Sequence, residues 1–309
     1  MNNSRVLFAG TPAFALMQLQ ALCESGCIPV AVLTQPDRPA GRGKKLTASP
    51  VKKYSLEQNI AVLQPTTLRD EEVVKQLAAL KPDLMIVAAY GLILPQAVLD
   101  IPKQGCLNVH ASLLPRWRGA APIQAAILAG DEQTGISLMS VTAGLDCGPV
   151  FATAAIDIGA HENAGALHDR LATLGGELLL RELAAILDGK LEAIAQDESR
   201  ATYAGKITSA DARLDWSRPA DELARSVRAY NPVPGAWFMH DDERIKCWRA
   251  TMTDDSGPPG KVVDVTKDSV VVSCGTSALA MQELQRPGKR VINATAVDSQ
   301  LKLAGTTLS

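Results

Sequence analysis

The sequence predicts an α/β fold: an open, mostly parallel sheet followed by a small antiparallel β domain. Three observations carry that reading. In the first half, short apolar runs alternate with helical segments at the pitch of strand–helix units. The strongest run, DLMIVAAYG at 83–91, is apolar on both faces, as the centre of a parallel sheet requires. Beyond about residue 207, short strands follow one another across turns with no long helix between them, which predicts a small barrel.

The elements follow in order. RVLFA (5–9) is a buried strand. Thr11 stands where an N-cap would, with Pro12 at the first helical position, and the helix is expected to end near Gly26. IPVAVLT (28–34) is the second strand. Ser49 and Pro50 open a helix to about Gln58, and IAVLQ (60–64) is the third strand. DEEVVKQLAALK (70–81) is an amphipathic helix with its acids in the first turn, where the helix dipole favours them. GCLNVH (105–110) follows the central strand, and ISLMSVT (136–142) pairs with VFATAAIDI (150–158) across the turn-rich TAGLDCGPV. From Glu162 a long helix shows Leu167, Leu171, Leu174 and Leu178 at core spacing, until Gly189 ends it. The expected domains are thus 1–189, a linker at 190–206, and 207–309. The last begins with the helix RPADELARSVRAY (218–230) and continues with the strands IKCWRATM, GKVVDVTKD, SVVVSC and SALAMQELQ.

The 309 residues, 47% hydrophobic and 21% charged, suit a globular chain with a substantial core. No apolar run reaches the roughly 18–20 residues of a membrane span, and the start has no basic region before an apolar stretch, so the expected location is the cytoplasm. Six scattered cysteines read as structural thiols in a reducing compartment, and His161 and His168 fit no zinc spacing; no metal is expected. A net charge of −2 argues against a strongly basic nucleic-acid binder. Yet PDRPAGRGKKLTASPVKKY carries Arg38, Arg42, Lys44, Lys45, Lys52 and Lys53 against the single acid Asp37. That run is either a solvated surface or a phosphate-binding patch.

Open α/β sheets place their sites at the carboxyl ends of their strands. Tyr90 and Gly91 lie at one such end, and Asn108 and His110 lie at the next, two residues apart and so on one face. Each polar residue has a bland reading: His110 as a hydrogen-bonded structural histidine, Asn108 and Asp146 as turn formers. The motifs of other enzymes are missing. There is no GxGxxG after the first strand, where AGTPAF stands, no GxxxxGK[ST] and no GxSxG. An Asn–His–Asp set without a nucleophilic Ser or Cys suits direct acyl transfer to an amine. A carboxamide and an imidazole N–H can hold the oxyanion. A histidine of ordinary pKa about 6.5 beside a carboxylate can exchange the proton.

NVHASLLPRWRGAAP (108–122), with TAGLDCGPV downstream, strongly resembles the folate-dependent formyltransferases. The resemblance implies a Rossmann-like catalytic domain with Asn108, His110 and Asp146 as the catalytic set. It further implies a folate-binding loop at Ser112, Leu113, Leu114 and Pro115, and a pterin-lining segment that includes Tyr90, Gly91, Leu92 and Ile93. Three features favour the branch of the family that acts on methionyl-tRNA: the opening VLFAGTPAFA, the basic loop in the place of that branch's insertion, and the C-terminal β domain, OB-like in that branch. The implied reaction moves the formyl group of 10-formyltetrahydrofolate, the cosubstrate, onto the α-amino group of methionyl-initiator tRNA. Arg38, Arg42, Lys44, Lys45 and Phe14 are the implied tRNA contacts, and a monomer is expected. The alternative is another folate-dependent formyltransferase or a formylfolate hydrolase, acting on a small amine or water.

Overall fold

The computed structural model describes residues 4–40, 43 and 45–309. Arg42 and Lys44 of the basic loop lie outside the described residues. The chain divides into two compact units, one of Met1–Gly119, Thr134–Ile156 and His168–Tyr203, the other of Ala120–Gln133, Asp157–Leu167 and Ala204–Ser309.

The first unit is built on a seven-stranded sheet. Its order is 150–157, 133–140, 106–110, 84–88, 6–10, 31–33 and 62–63. The strands Cys106–His110, Leu84–Ala88, Val6–Gly10, Ala31–Leu33 and Val62–Leu63 run parallel, and Gln133–Ser140 pairs antiparallel with Cys106–His110, so the sheet is mixed and mostly parallel. Val6–Gly10 and Leu84–Ala88 are buried at every position, which explains their unbroken apolar sequences. Leu7, Ala9, Leu33, Met85 and Val87 meet Leu77, Val98 and Leu99 in one core cluster, the alternate residues of each strand that share a face.

The helices begin and end for local reasons. Ser49 caps Pro50–Glu57 by accepting from the Lys52 N–H, and Asp70 caps Glu71–Ala79 by accepting from Glu72. The first helix departs from expectation: it runs Ala13–Glu24 with Pro12 at the cap and no side-chain cap bond. The Thr11 hydroxyl is used elsewhere, donating to the Tyr90 carbonyl at 3.0 Å. The long helix spans Ala164–Leu187, with Leu167, Leu171 and Leu178 fully buried and Leu174 partly so. Gly189 follows in the left-handed region, φ +64°.

In the second unit, strands Ala236–His240, Glu243–Thr253, Ala278–Gln285, Val270–Ser273 and Val262–Val265 pair antiparallel in that order, and Ile292–Asn293 joins Ala278–Gln285. The Ala220–Ala229 helix packs on this sheet, placing Leu223 and Val227 among Phe238, Ile245, Cys247 and Met281. Trp216 meets Phe238 edge-on at 5.7 Å. Three helices (Gln96–Leu99, Pro122–Ala129 and Ala294–Leu301) and the Ala236–His240 strand were not legible in the pattern. The helices are short, and Pro122–Ala129 is almost wholly apolar, so it shows no amphipathic period. No helix among the described residues is long and apolar enough to cross a membrane, and all six cysteines are free thiols.

Gly10 closes the first strand where a side chain has no room. A Cβ there would sit 2.5 Å from Ala15 Cβ, 2.8 Å from the Phe8 ring and 2.9 Å from the Ala88 carbonyl. Gly10→Ala is expected to destabilise the protein by about 1–3 kcal/mol through overpacking, seen as a lower urea midpoint; an unchanged midpoint would show that the helix can give way.

Candidate active site

The site forms where two parallel strands end side by side. Val87 stands opposite Asn108, while on the other side Met139 faces Asn108 and Ser137 faces His110. Asn108 is partly buried, and its carboxamide has no hydrogen-bond partner among the described residues. His110 is buried, only 5% exposed.

The imidazole is held from both nitrogens. Nε2 lies 3.0 Å from the Trp117 carbonyl oxygen, and Nδ1 lies 3.7 Å from Asp146 Oδ2. A carbonyl can only accept, so Nε2 carries a proton, and in the neutral ring Nδ1 presents its lone pair towards Asp146. Burial pushes the His110 pKa below its ordinary value, opposed by the Asp146 charge and then by the Trp117 carbonyl. The expected imidazole N–H donor to an oxyanion is therefore absent from the neutral ring, because Nε2–H is spent on Trp117. Nδ1 becomes a donor only after it has taken up a proton.

Asp146 is presented by a loop that the backbone alone would not favour. It sits at φ +47°, in the left-handed region uncommon for residues other than glycine. Its carboxylate accepts from the Gly119 N–H at 2.8 Å, and its carbonyl accepts from Gln196 Nε2 at 2.9 Å. Gln196 Nε2 also donates to the Gly148 carbonyl at 2.7 Å, while Gln196 Oε1 accepts from Arg118 Nε and Nη2 at 3.0 and 2.9 Å. Arg118, 1% exposed, also meets Glu198 with both terminal nitrogens at 2.8 and 2.7 Å. Gln196 and Glu198 come from the stretch expected to be a linker. An amide and an acid there carry no motif that marks either of them in the sequence.

The residues expected at folate flank this centre. Ser112 is fully buried, its hydroxyl donating to the Arg116 carbonyl at 2.6 Å and its carbonyl accepting from Ser137 Oγ at 2.7 Å. Ser112 thus shapes its loop from within. Leu113, Leu114 and Pro115 are partly buried, and the Leu114 N–H donates to Ser137 Oγ at 3.0 Å. Tyr90 is 2% exposed in the sheet core, and burial pushes its phenol up to about 12. Gly91 is exposed at φ +86°, Leu92 packs partly against the core, and Ile93 is 81% exposed.

Among the expected tRNA contacts, Arg38 and Lys45 are exposed on a short hairpin pairing Arg38–Ala40 with Lys45–Thr47. Arg38 Nη2 donates to Gln35 Oε1 at 2.8 Å, and Gln35 Nε2 donates to the Tyr90 carbonyl at 3.3 Å, which roots the basic segment at the sheet's carboxyl edge. Phe14 is different. Its ring is 5% exposed and packs edge-on to His168 at 5.9 Å, so it belongs to the core.

The second unit gathers cations that sequence order had scattered. Arg244 stacks over the Trp237 ring at 4.0 Å, with Arg213 at 5.7 Å. A cavity of about 400 Å³ is lined by Arg244, Lys246 and Arg286 together with Ser209 and Gln285. Burial, then neighbouring Arg244, lowers the Lys246 pKa. Strand pairing and folding bring 209, 244–246 and 285–286 together. No group of three or more His, Cys, Asp or Glu side chains among the described residues is arranged to hold a metal ion.

Replacing Asp146 by Asn removes the charge that raises the His110 pKa and leaves burial unopposed by it. The His110 titration followed by NMR is therefore expected to move to lower pH; an unmoved midpoint would mean that the 3.7 Å approach carries no electrostatic coupling.

Comparison with known proteins shows the family of the chain. The formyl transferase family model matches residues 3–183, and the model of the formyl transferase C-terminal domain matches 206–301. A methionyl-tRNA formyltransferase of Pseudomonas fluorescens strain Pf-5 is 54% identical over 289 residues, covering 94% of this chain and 91% of the relative. One from Pseudomonas syringae pv. tomato is 53% identical over 291 residues, covering 94% and 93%. In fold, the chain is similar to an N-formyltransferase of Helicobacter canadensis solved with folinic acid and dTDP-3-aminofucose, with a TM-score of 0.67 at 17% identity over 91% of this chain and 100% of that one. The chain belongs to the formyl transferase family, among the methionyl-tRNA formyltransferases.

Proposed function

We propose that the chain transfers the formyl group of 10-formyltetrahydrofolate to the α-amino group of methionine esterified to initiator tRNA, working in the cytoplasm as a monomer. The observation that carries this reading is His110, with Nδ1 turned to Asp146 at 3.7 Å and Asn108 two residues away on the same strand face.

In this mechanism the amine nitrogen attacks the formyl carbon, and the carbonyl oxygen takes up the negative charge. The Asn108 carboxamide, which has no hydrogen-bond partner among the described residues, donates to that oxyanion. His110 Nδ1 takes the proton released by the attacking amine, and Asp146 stabilises the imidazolium that results. The bond from the formyl carbon to the folate nitrogen then breaks, and His110 returns its proton to that nitrogen. Tetrahydrofolate and the formylated ester leave with His110 neutral again. No covalent bond to the protein is formed at any stage.

Folate is proposed to lie along the two loops that leave the adjacent strands, at 90–93 and 112–115. The tRNA is proposed to meet the basic hairpin through its phosphates, with the cavity at Arg244 and Lys246 taking a further phosphate. Such interactions supply affinity and register and are weakened by salt.

The direct test supplies purified protein with formyl-labelled 10-formyltetrahydrofolate and offers methionyl-tRNA, small amines such as aminosugar nucleotides, or water. Label is expected on methionyl-tRNA; label passing only to a small amine or to water would overturn the assignment. Asn108→Ala is expected to lower kcat by about 10²–10³-fold, with tRNA binding retained; normal turnover would remove Asn108 from the chemistry. Replacing Arg38, Arg42, Lys44 and Lys45 by Ala is expected to weaken tRNA binding and to reduce its salt slope by about one unit for each phosphate left without its cation, sparing folate. Normal tRNA use across salt concentrations would make the hairpin a bystander.

A further inference from the structure

The structure assigns a positioning role to Gln196, acting with Arg118 and Glu198: they latch the Asp146 loop in the conformation that turns its carboxylate to His110. These residues touch no reacting atom, and Gln196 and Glu198 fall between the two family-matched segments, 3–183 and 206–301.

A residue at φ +47° returns to ordinary backbone conformations unless its surroundings hold it. Asp146 is held twice. Gln196 Nε2 binds the carbonyls of both Asp146 and Gly148, so one amide fixes both ends of a three-residue turn. The Gly119 N–H fixes the carboxylate, and Gly119 follows Arg118 directly in the chain. Arg118 therefore bears on the loop from two sides, through Gly119 and through Gln196. Its guanidinium is 1% exposed and requires a counter-charge, which Glu198 supplies with both carboxylate oxygens. The Gln196 amide is oriented by chemistry: its oxygen faces two guanidinium donors and its nitrogen faces two carbonyls, so a flipped amide would lose all four bonds.

The latch rests on Asp146 acting beside His110 as proposed, and one substitution separates its function from general support of the fold. Gln196→Glu keeps the size and the acceptor for Arg118 but places an oxygen, which cannot donate, against the two loop carbonyls. A role limited to accepting hydrogen bonds from Arg118 would be preserved by this change. A latch would be lost.

The experiment measures kcat, KM for methionyl-tRNA and the pH profile of kcat/KM for wild type, Gln196→Glu and Asp146→Asn, with thermal melting of each. Gln196→Glu is expected to melt near wild type and retain KM, but to lose kcat by about 10–10²-fold as the carboxylate is misplaced. Its His110-linked inflection is expected at lower pH, because that ring loses the charge that opposes the effect of burial. Wild-type kcat and pH profile in Gln196→Glu, beside an impaired Asp146→Asn, would overturn the latch alone. An unimpaired Asp146→Asn would overturn both the latch and the reading beneath it. A kcat loss in Gln196→Glu with no shift of the inflection would also count against it, since a defect elsewhere leaves the His110–Asp146 distance unchanged.

Discussion

The proposed chemistry depends on one backbone carbonyl within the NVHASLLPRWRGAAP segment. The Trp117 oxygen, 3.0 Å from His110 Nε2, obliges that nitrogen to carry a proton and so decides which nitrogen can exchange one. Its consequence is a division of labour. One face of the imidazole is spent on structure, and the other, turned to Asp146, is the one proposed to carry the proton from the attacking amine to the leaving nitrogen. Burial favours the neutral ring, and the Asp146 carboxylate opposes that preference by favouring the charged one.

Much of the fold exists to present that face. Central strands apolar on both sides fix the carboxyl edge of the sheet, and the single strand Cys106–His110 delivers both Asn108 and His110 there, in register with its two neighbours. The opposing carboxylate arrives from a loop whose conformation is intrinsically unfavourable. Its anchoring is correspondingly dense: a glycine N–H, a bifurcated amide and a buried guanidinium with its own counter-ion. This pair, with the guanidinium buried and the Glu198 side chain exposed, contributes little net stability, because the desolvation of Arg118 offsets much of the Coulomb attraction. Its value here is geometric.

The legible part of the sequence was the part governed by short-range rules. Apolar runs marked the strands, and Ser49 and Asp70 marked helix starts because their side chains bond within their own turn. The i, i+2 spacing of Asn108 and His110 revealed a shared face. Thr11 obeyed the same cap rule in sequence but not in structure, since a tertiary partner, the Tyr90 carbonyl, took its hydroxyl. Gln196 and Glu198 were illegible for a related reason. Their partners lie 48 to 80 residues away, and nothing in a local window distinguishes them from solvated surface. The proton assignment on His110 was likewise hidden, because it depends on a backbone oxygen seven residues on, brought back by a turn with Trp117 at φ +62°.

The measurement that bears most directly on this picture is the ¹⁵N spectrum of the His110 ring in the resting protein, recorded from neutral to mildly alkaline pH. The expected result is a neutral ring protonated at Nε2, with Nδ1 showing the shift of an unprotonated nitrogen. A ring protonated at Nδ1 alone, or one still doubly protonated above neutrality, would contradict it, since Nδ1 would then have no lone pair with which to accept the proton of the attacking amine.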